Sequence, residues 1–183
     1  MYHLDVTLTR AINGLAGGSA AFDALMIWTS RIGVPLLVLA VALRWWRGAD
    51  RRHSRHVLVA AGLTFLLGLF LNQIIVHLVH RVRPYDAGVS RLLIERSADV
   101  SFPSDHATAT VAIAAAFLLH GTRRMGLAFG LAALLVCFSR IYVGTHYAGD
   151  VLGGALTAVL AALLVARLYT EGTRLDRIVT GIL

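Results

Sequence analysis

Apolar residues run along this chain in long blocks separated by short polar clusters. Five blocks approach the roughly 20 residues that a membrane-spanning helix needs. They run from about Ala24 to Leu43, His56 to about Val79, about Ala107 to Leu119, about Met125 to Tyr142, and about Tyr147 to Leu168. The third is short and extends at its start only through Ser104–His106, so this polar first turn must lie in protein or in a wet cavity. Leu4–Leu15 instead alternates polar and apolar residues at helical spacing, which predicts an interfacial or re-entrant helix. Asp5 and Arg10 interrupt it, against a cleaved signal peptide. Gly153 and Gly154 predict close helix packing in the fifth block. The pattern predicts an all-α integral membrane bundle of five to six membrane helices. It forms one domain over residues 1–183, with the N-terminal helix inside 1–20, and no internal repeat.

Composition sharpens this picture. Hydrophobic residues make up 57% of the chain, mean hydropathy is +0.72, and charged residues are only 15%. A soluble domain carries about 25% charged residues. Disorder is excluded and a soluble protein is disfavoured. The net charge is +7, and all 17 basic residues are arginine. They sit between apolar stretches and form no continuous basic face, so nucleic acid is not an expected partner. The lone Cys137 excludes a disulfide framework, a Cys-rich zinc site or an iron–sulfur cluster, and reads as a packing residue.

Arginine placement orients the spans. Arg44, Arg47, Arg51, Arg52, Arg55, Arg123, Arg124, Arg167, Arg174 and Arg177 share one side, expected to be the cytoplasm. Arg10, Arg31, Arg81, Arg83, Arg91, Arg96 and Arg140 share the other. Trp45 and Trp46 end the first span as interfacial aromatics do.

Polar residues then gather at one level, the outer one. Arg83-Pro84 follow the second span, Phe102–His106 open the third, Ser139-Arg140 end the fourth, and His146 and Asp150 open the fifth. Ionisable groups within membrane segments are functional candidates by default. Two guanidinium forks match phosphate oxygens. Ser104 stands at a helix start, where free amides and the dipole favour an anion. His146 and Asp150 are four apart and share a helix face. A carboxylate there can hold one imidazole nitrogen protonated and leave the other as a nucleophile, while His106 donates a proton to a leaving group. These residues suit phosphoryl transfer, with developing charge stabilised by arginines and amides and no metal needed in principle.

The same residues resemble the type 2 phosphatidic acid phosphatase superfamily, whose fold is shared with vanadium haloperoxidases. Its third motif, Ser-Arg-x5-His-x3-Asp, is complete at Ser139, Arg140, His146 and Asp150. Its second, Pro-Ser-x-His, is Pro103–His106. Its first, Lys-x6-Arg-Pro, keeps Arg83 and Pro84 but has Val76 at the lysine position. Ala98-Asp99, Ser101–His106, Phe138–Tyr147 and Ala11–Leu15 are similar to the bacitracin-resistance branch, the undecaprenyl pyrophosphate phosphatases. The resemblance covers most of the chain. It implies a PAP2/haloperoxidase-like core and a metal-independent enzyme without cofactor. The implied reaction turns undecaprenyl pyrophosphate into undecaprenyl phosphate and phosphate, recycling the peptidoglycan carrier lipid and conferring bacitracin tolerance. His146 is then the nucleophile that forms a phosphohistidine, Asp150 its orienting carboxylate, and His106 the general acid. Arg83, Ser104, Arg140 and the backbone around Asp105 bind phosphate. A bacterial plasma membrane location follows, with the site facing outward. Arg81 or His77 is a candidate to replace the charge missing at Val76.

Plainer readings stand beside these. His146 and Asp150 alone are equally a buried structural pair. Arg83 also suits a membrane-edge anchor. His77, His80, His106 and His146 allow a metal site, although interface residues fit His77 and His80 as well. His53, His56 and His120 read as solvated on the cytoplasmic side. Arg31 either snorkels or meets substrate. Asp86, Glu95 and Asp99 read as solvated loop charges. Other substrates (phosphatidic acid, phosphatidylglycerol phosphate, another prenyl pyrophosphate) fit the motifs too, as does a membrane protein that binds or transports a lipid phosphate without turnover.

Overall fold

The structure, a computed structural model, describes residues 2–46, 50–120 and 122–181. Arg47 lies outside them. All regular structure among the described residues is helical. The helices are α1 (Tyr2–Asn13), α2 (Ala20–Ala42), α3 (Arg51–Leu78), α4 (Asp105–Leu119), α5 (Arg123–Tyr142), α6 (Ala148–Leu168) and α7 (Arg174–Thr180), with a 3₁₀ turn at Leu43–Trp46. Four of them, α2, α3, α5 and α6, are long and apolar enough to cross a membrane. α4 has 15 residues, or about 22 Å at 1.5 Å per residue. The five predicted blocks are all helices, and the N-terminal segment is the twelve-residue α1. α7 was not visible in the hydrophobic pattern.

Local chemistry sets the helix ends. Ser19, Asp50 and Ser104 cap α2, α3 and α4, each accepting a backbone N–H from the first turn. α3 stops before Arg83-Pro84, where proline disfavours helix for the residue preceding it. The turn from α5 into α6 passes through Gly144 at φ +83°, and a Cβ there would collide with the Arg91 carbonyl.

α4 is the central helix, packed on α2, α3, α5 and α6. Its short length is tolerable because protein surrounds its polar start. Ala107, Ala109, Ala112, Ala114 and Ala116 are all buried, so neighbouring backbones approach closely. Gly154 of α6 lies against the Ser104 carbonyl with no room for a side chain. Toward the other end, Leu58, Ile113, Phe117 and Phe129 form the main apolar cluster. Outward-facing Leu131, Leu134, Leu156 and Leu160 remain exposed. An apolar girdle of this extent suits lipid rather than water. The molecule is a multi-pass membrane bundle.

The end opposite the polar constellation corrects one expectation. His56 is buried, not solvated. Its Nδ1 is 2.8 Å from Asp176 Oδ1 and its Nε2 is 3.0 Å from His120 Nδ1. The Tyr169 ring stacks on it, and the Tyr169 hydroxyl donates to Asp176 at 2.7 Å. Asp176 belongs to α7, which folds back onto α3. His53 stays on the surface, paired with Glu171 at 3.0 Å. Asp176→Ala takes away the partner of His56 Nδ1 and of the Tyr169 hydroxyl in the interior. It should lower unfolding stability by about 2–4 kcal/mol. Thermal unfolding in detergent measures this; an unchanged midpoint would mean that the Asp176 contacts contribute nothing to stability.

Candidate active site

The connection from α3 to α4 and the turn from α5 to α6 meet at one end of the bundle. Leu93 N–H donates to the Val143 carbonyl at 3.0 Å. Asn13 of α1 ties both together, donating to the Arg91 and Tyr142 carbonyls and accepting from Arg91 N–H at 2.7 Å. A cavity of about 260 Å³ opens beneath, and the predicted residues Arg83, Asp105, His106, Arg140 and His146 all line it. Gln73, Val76, Ser97 and Asp99 line it as well.

His146 is buried in the turn that precedes α6. Its Nδ1 lies 2.8 Å from the Ser101 carbonyl oxygen. A carbonyl only accepts, so Nδ1 carries the proton and Nε2 keeps its lone pair. Nε2 is 3.5 Å from Arg83 Nη1. Burial pushes the imidazole pKa below its ordinary value, Asp150 opposes that shift, and Arg140 and Arg83 reinforce it. The neutral ring therefore persists to lower pH than in a solvated histidine.

Asp150 is fully buried in the first turn of α6. Its Oδ2 lies 3.6 Å from His146 Nδ1, beyond a hydrogen bond. That oxygen instead accepts from Ser101 Oγ at 2.5 Å and from Tyr147 N–H at 2.8 Å. Ser101 thus bridges the pair, with its hydroxyl on Asp150 and its carbonyl on His146.

Arg83 is held from three directions. Nε donates to the Asp99 carbonyl at 2.8 Å, Nη1 to the Thr145 carbonyl at 3.0 Å and Nη2 to Ser97 Oγ at 3.3 Å. Arg140 Nη1 donates to Ser30 of α2 at 2.5 Å. Both guanidiniums are buried at the cavity wall and fixed before any ligand arrives. His106, in the first turn of α4, faces the same space.

Ser104 lies elsewhere. It is fully buried as the cap of α4, and its N–H donates to the Asp150 carbonyl at 3.0 Å. Its hydroxyl accepts from Ala107 N–H rather than lining the cavity. It supports the α4 start, whose first amides have no intrahelical partner. The Asp105 carboxylate lines the cavity and accepts from Asn72 Nδ2 at 2.7 Å. Asn72, fully buried on α3, also donates to Thr108 Oγ1 at 2.8 Å. Reasoning from the sequence passed over Asn72 and Gln73, although a polar Asn-Gln inside an apolar block was the available signal.

Neither candidate for the charge missing at Val76 takes that place. Arg81 is bound to Asp5 and Asp150, at 2.5 and 2.7 Å. His77 is exposed and contacts the Gln73 carbonyl at 2.7 Å. Arg31 pairs with Glu95 at 3.6 Å on the surface, where both are exposed.

Comparisons with known proteins accord with this arrangement. The PAP2 superfamily model matches residues 57–174. The chain is 34% identical over 164 residues to the undecaprenyl-diphosphatase BcrC of Bacillus subtilis, covering 90% of this chain and 83% of that protein. It is 30% identical over 165 residues to a Bacillus licheniformis protein named bacitracin transport permease protein BcrC, covering 88% and 79%. The fold superimposes with a TM-score of 0.70 on the crystal structure of a transmembrane PAP2 type phosphatidylglycerolphosphate phosphatase from Bacillus subtilis. That match is 24% identical and covers 94% of this chain and 88% of the other. The family model spans well over half of the chain, and the chain belongs to the PAP2 superfamily.

Proposed function

We propose that this chain hydrolyses undecaprenyl pyrophosphate to undecaprenyl phosphate and inorganic phosphate through a phosphohistidine at His146. The observation that carries the reading is the His146 imidazole: Nδ1 sits on the Ser101 carbonyl, and Nε2 opens into a cavity walled by Arg83, Arg140 and His106. The names of its relatives supply the choice of lipid.

The groups that line the cavity support each step of this reading. The terminal phosphoryl group enters between Arg83 and Arg140, whose N–H groups take its equatorial oxygens. Nε2 attacks phosphorus in line, an N–P bond forms, and the bridging P–O bond breaks toward the lipid phosphate. His106 gives that departing oxygen its proton. Positive charge developing on the imidazole is balanced by the Asp150 carboxylate. Water then attacks phosphorus with His106 as base, the N–P bond breaks, and phosphate leaves.

The site faces the outer side of a bacterial plasma membrane, as the arginine distribution favours, and the reaction recycles the peptidoglycan carrier lipid. Phosphate release from undecaprenyl pyrophosphate, phosphatidic acid and phosphatidylglycerol phosphate, by purified protein in detergent with EDTA, tests this. Preferred release from the prenyl pyrophosphate supports it, and faster release from either glycerolipid reassigns the substrate. Binding without release from any lipid would favour the non-catalytic reading that Val76 and the permease-named relative motivate. Loss of activity with EDTA would make the enzyme metal-dependent.

Val76 lines the cavity. Val76→Lys places a cation there and should lower the inhibition constant of inorganic phosphate by about tenfold, as expected for one added charged hydrogen bond. An unchanged constant would mean that position 76 lies off the phosphate path.

A further inference from the structure

Asp150 needs a counter-charge, and His146 is not in hydrogen-bond contact with it. The Asp150 Oδ1 atom accepts from Arg81 Nη1 at 2.7 Å. The other arm of the guanidinium, Nη2, donates to Asp5 Oδ2 at 2.5 Å. Arg81 also lies over the Tyr147 ring, 3.8 Å from its centre. Asp5 belongs to α1, and its Oδ1 accepts from Gly149 N–H at 2.7 Å. One turn on, Thr9 Oγ1 accepts from Ala148 N–H at 3.0 Å. The first helix of the chain thus caps the first turn of α6, the element that follows His146 and contains Asp150.

The charges decide what this does. Asp5, Arg81 and Asp150 sum to −1 beside the imidazole. The other charged or titratable groups around the cavity that His146 lines are Arg83 and Arg140, His106 and Asp105 from α4, and Asp99 from the connection between α3 and α4. Tyr147, with Tyr2 next to it, flanks Arg81. Removing the Arg81 charge leaves −2 beside the ring, which favours imidazolium and occupies the Nε2 lone pair. Removing the Asp5 charge leaves zero, which favours the neutral ring.

We propose that Arg81 and Asp5 are positioning residues for the nucleophile, Arg81 holding and charge-balancing Asp150 while Asp5 locks Arg81 to the start of α6. This makes α1 part of the apparatus that sets up the reaction, beyond any role at the membrane interface. The inference rests on His146 being the nucleophile.

The test is the pH dependence of phosphate release by the wild type and by Arg81→Gln, Arg81→Lys and Asp5→Asn. Beside it, the His146 ring is titrated by NMR in histidine-labelled protein without substrate. In Arg81→Gln, the acid limb and the His146 titration should move up by about one pH unit. On the acid side of the wild-type limb its kcat should fall about tenfold, with KM within about twofold, and recover as the pH rises toward neutrality. Arg81→Lys should restore most of the loss. Asp5→Asn should move both curves the opposite way. An unshifted titration with only a lower melting temperature would reduce the pair to a structural clamp and overturn the inference. So would a raised KM with kcat intact, which would place Arg81 on the substrate. The NMR titration reads the shift without turnover, so a protein that released no phosphate would refute the proposed function while this coupling was still decided. If Arg81→Gln fails to fold, Asp5→Asn and Arg81→Lys decide it.

Discussion

His146→Ala should lower phosphate release by about 10⁴-fold or more, because the proposed route through a phosphohistidine loses its nucleophile. The fold should survive. The ring makes one short hydrogen bond, to a backbone carbonyl, and a long one at 3.5 Å from Arg83 Nη1, and otherwise borders the cavity. Lipid pyrophosphate binding should persist, since Arg83 and Arg140 are anchored by groups other than the imidazole: the Asp99 and Thr145 carbonyls, Ser97 and Ser30. Turnover assays and lipid binding on the same preparation check both parts. Near-normal turnover would remove His146 as nucleophile.

The second large effect depends on the substrate. His106→Ala removes the proposed proton donor for the leaving group. A lipid phosphate monoester must expel an alkoxide, which needs that proton, so its hydrolysis should fall by about 10⁴-fold. A lipid pyrophosphate expels a phosphate whose second pKa is about 6, so its loss should be nearer 10²-fold. The ratio of the two rates in the variant, compared with the wild type, is the readout. Equal losses on both substrates would mean that His106 serves binding and not proton transfer. A wild-type pH profile that fails to fall on both sides would argue against the pair, since one histidine must be neutral and the other charged. The acid side should lie below the ordinary imidazole pKa, because burial and the two arginines hold His146 neutral to lower pH.

Most of the membrane architecture was legible because lipid-facing helices announce themselves by length and apolarity. α4 was the hard case, and its polar first turn gave it away: only a wet or protein-lined pocket accommodates Ser104–His106 at that depth. The cavity-lining set of Arg83, Asp105, His106, Arg140 and His146 was legible through fixed spacings at span ends. What sequence reasoning missed is tertiary. Nothing in Leu4–Leu15 says that Asp5 reaches the start of α6, and nothing in Arg81 says that it turns toward carboxylates instead of phosphate. Ser101 sits inside a motif that matched, yet its bridging role comes from the chain path through Phe102 and Pro103. His56 resembled any surface histidine in a basic stretch, because burial there depends on α7 returning from the far end of the chain. The helix start at Ser104 suggests a phosphate ligand, and the same place explains why its hydroxyl is spent on the cap.

The most direct test of the central claim is capture of the phosphoenzyme. Protein is mixed with undecaprenyl pyrophosphate labelled in its terminal phosphate, quenched rapidly in alkali, and digested. A phosphohistidine at His146 predicts acid-labile, alkali-stable label on the peptide that carries it, absent in His146→Ala and formed no more slowly than phosphate is released. Phosphate released without any labelled peptide, or label on a different residue, would contradict it.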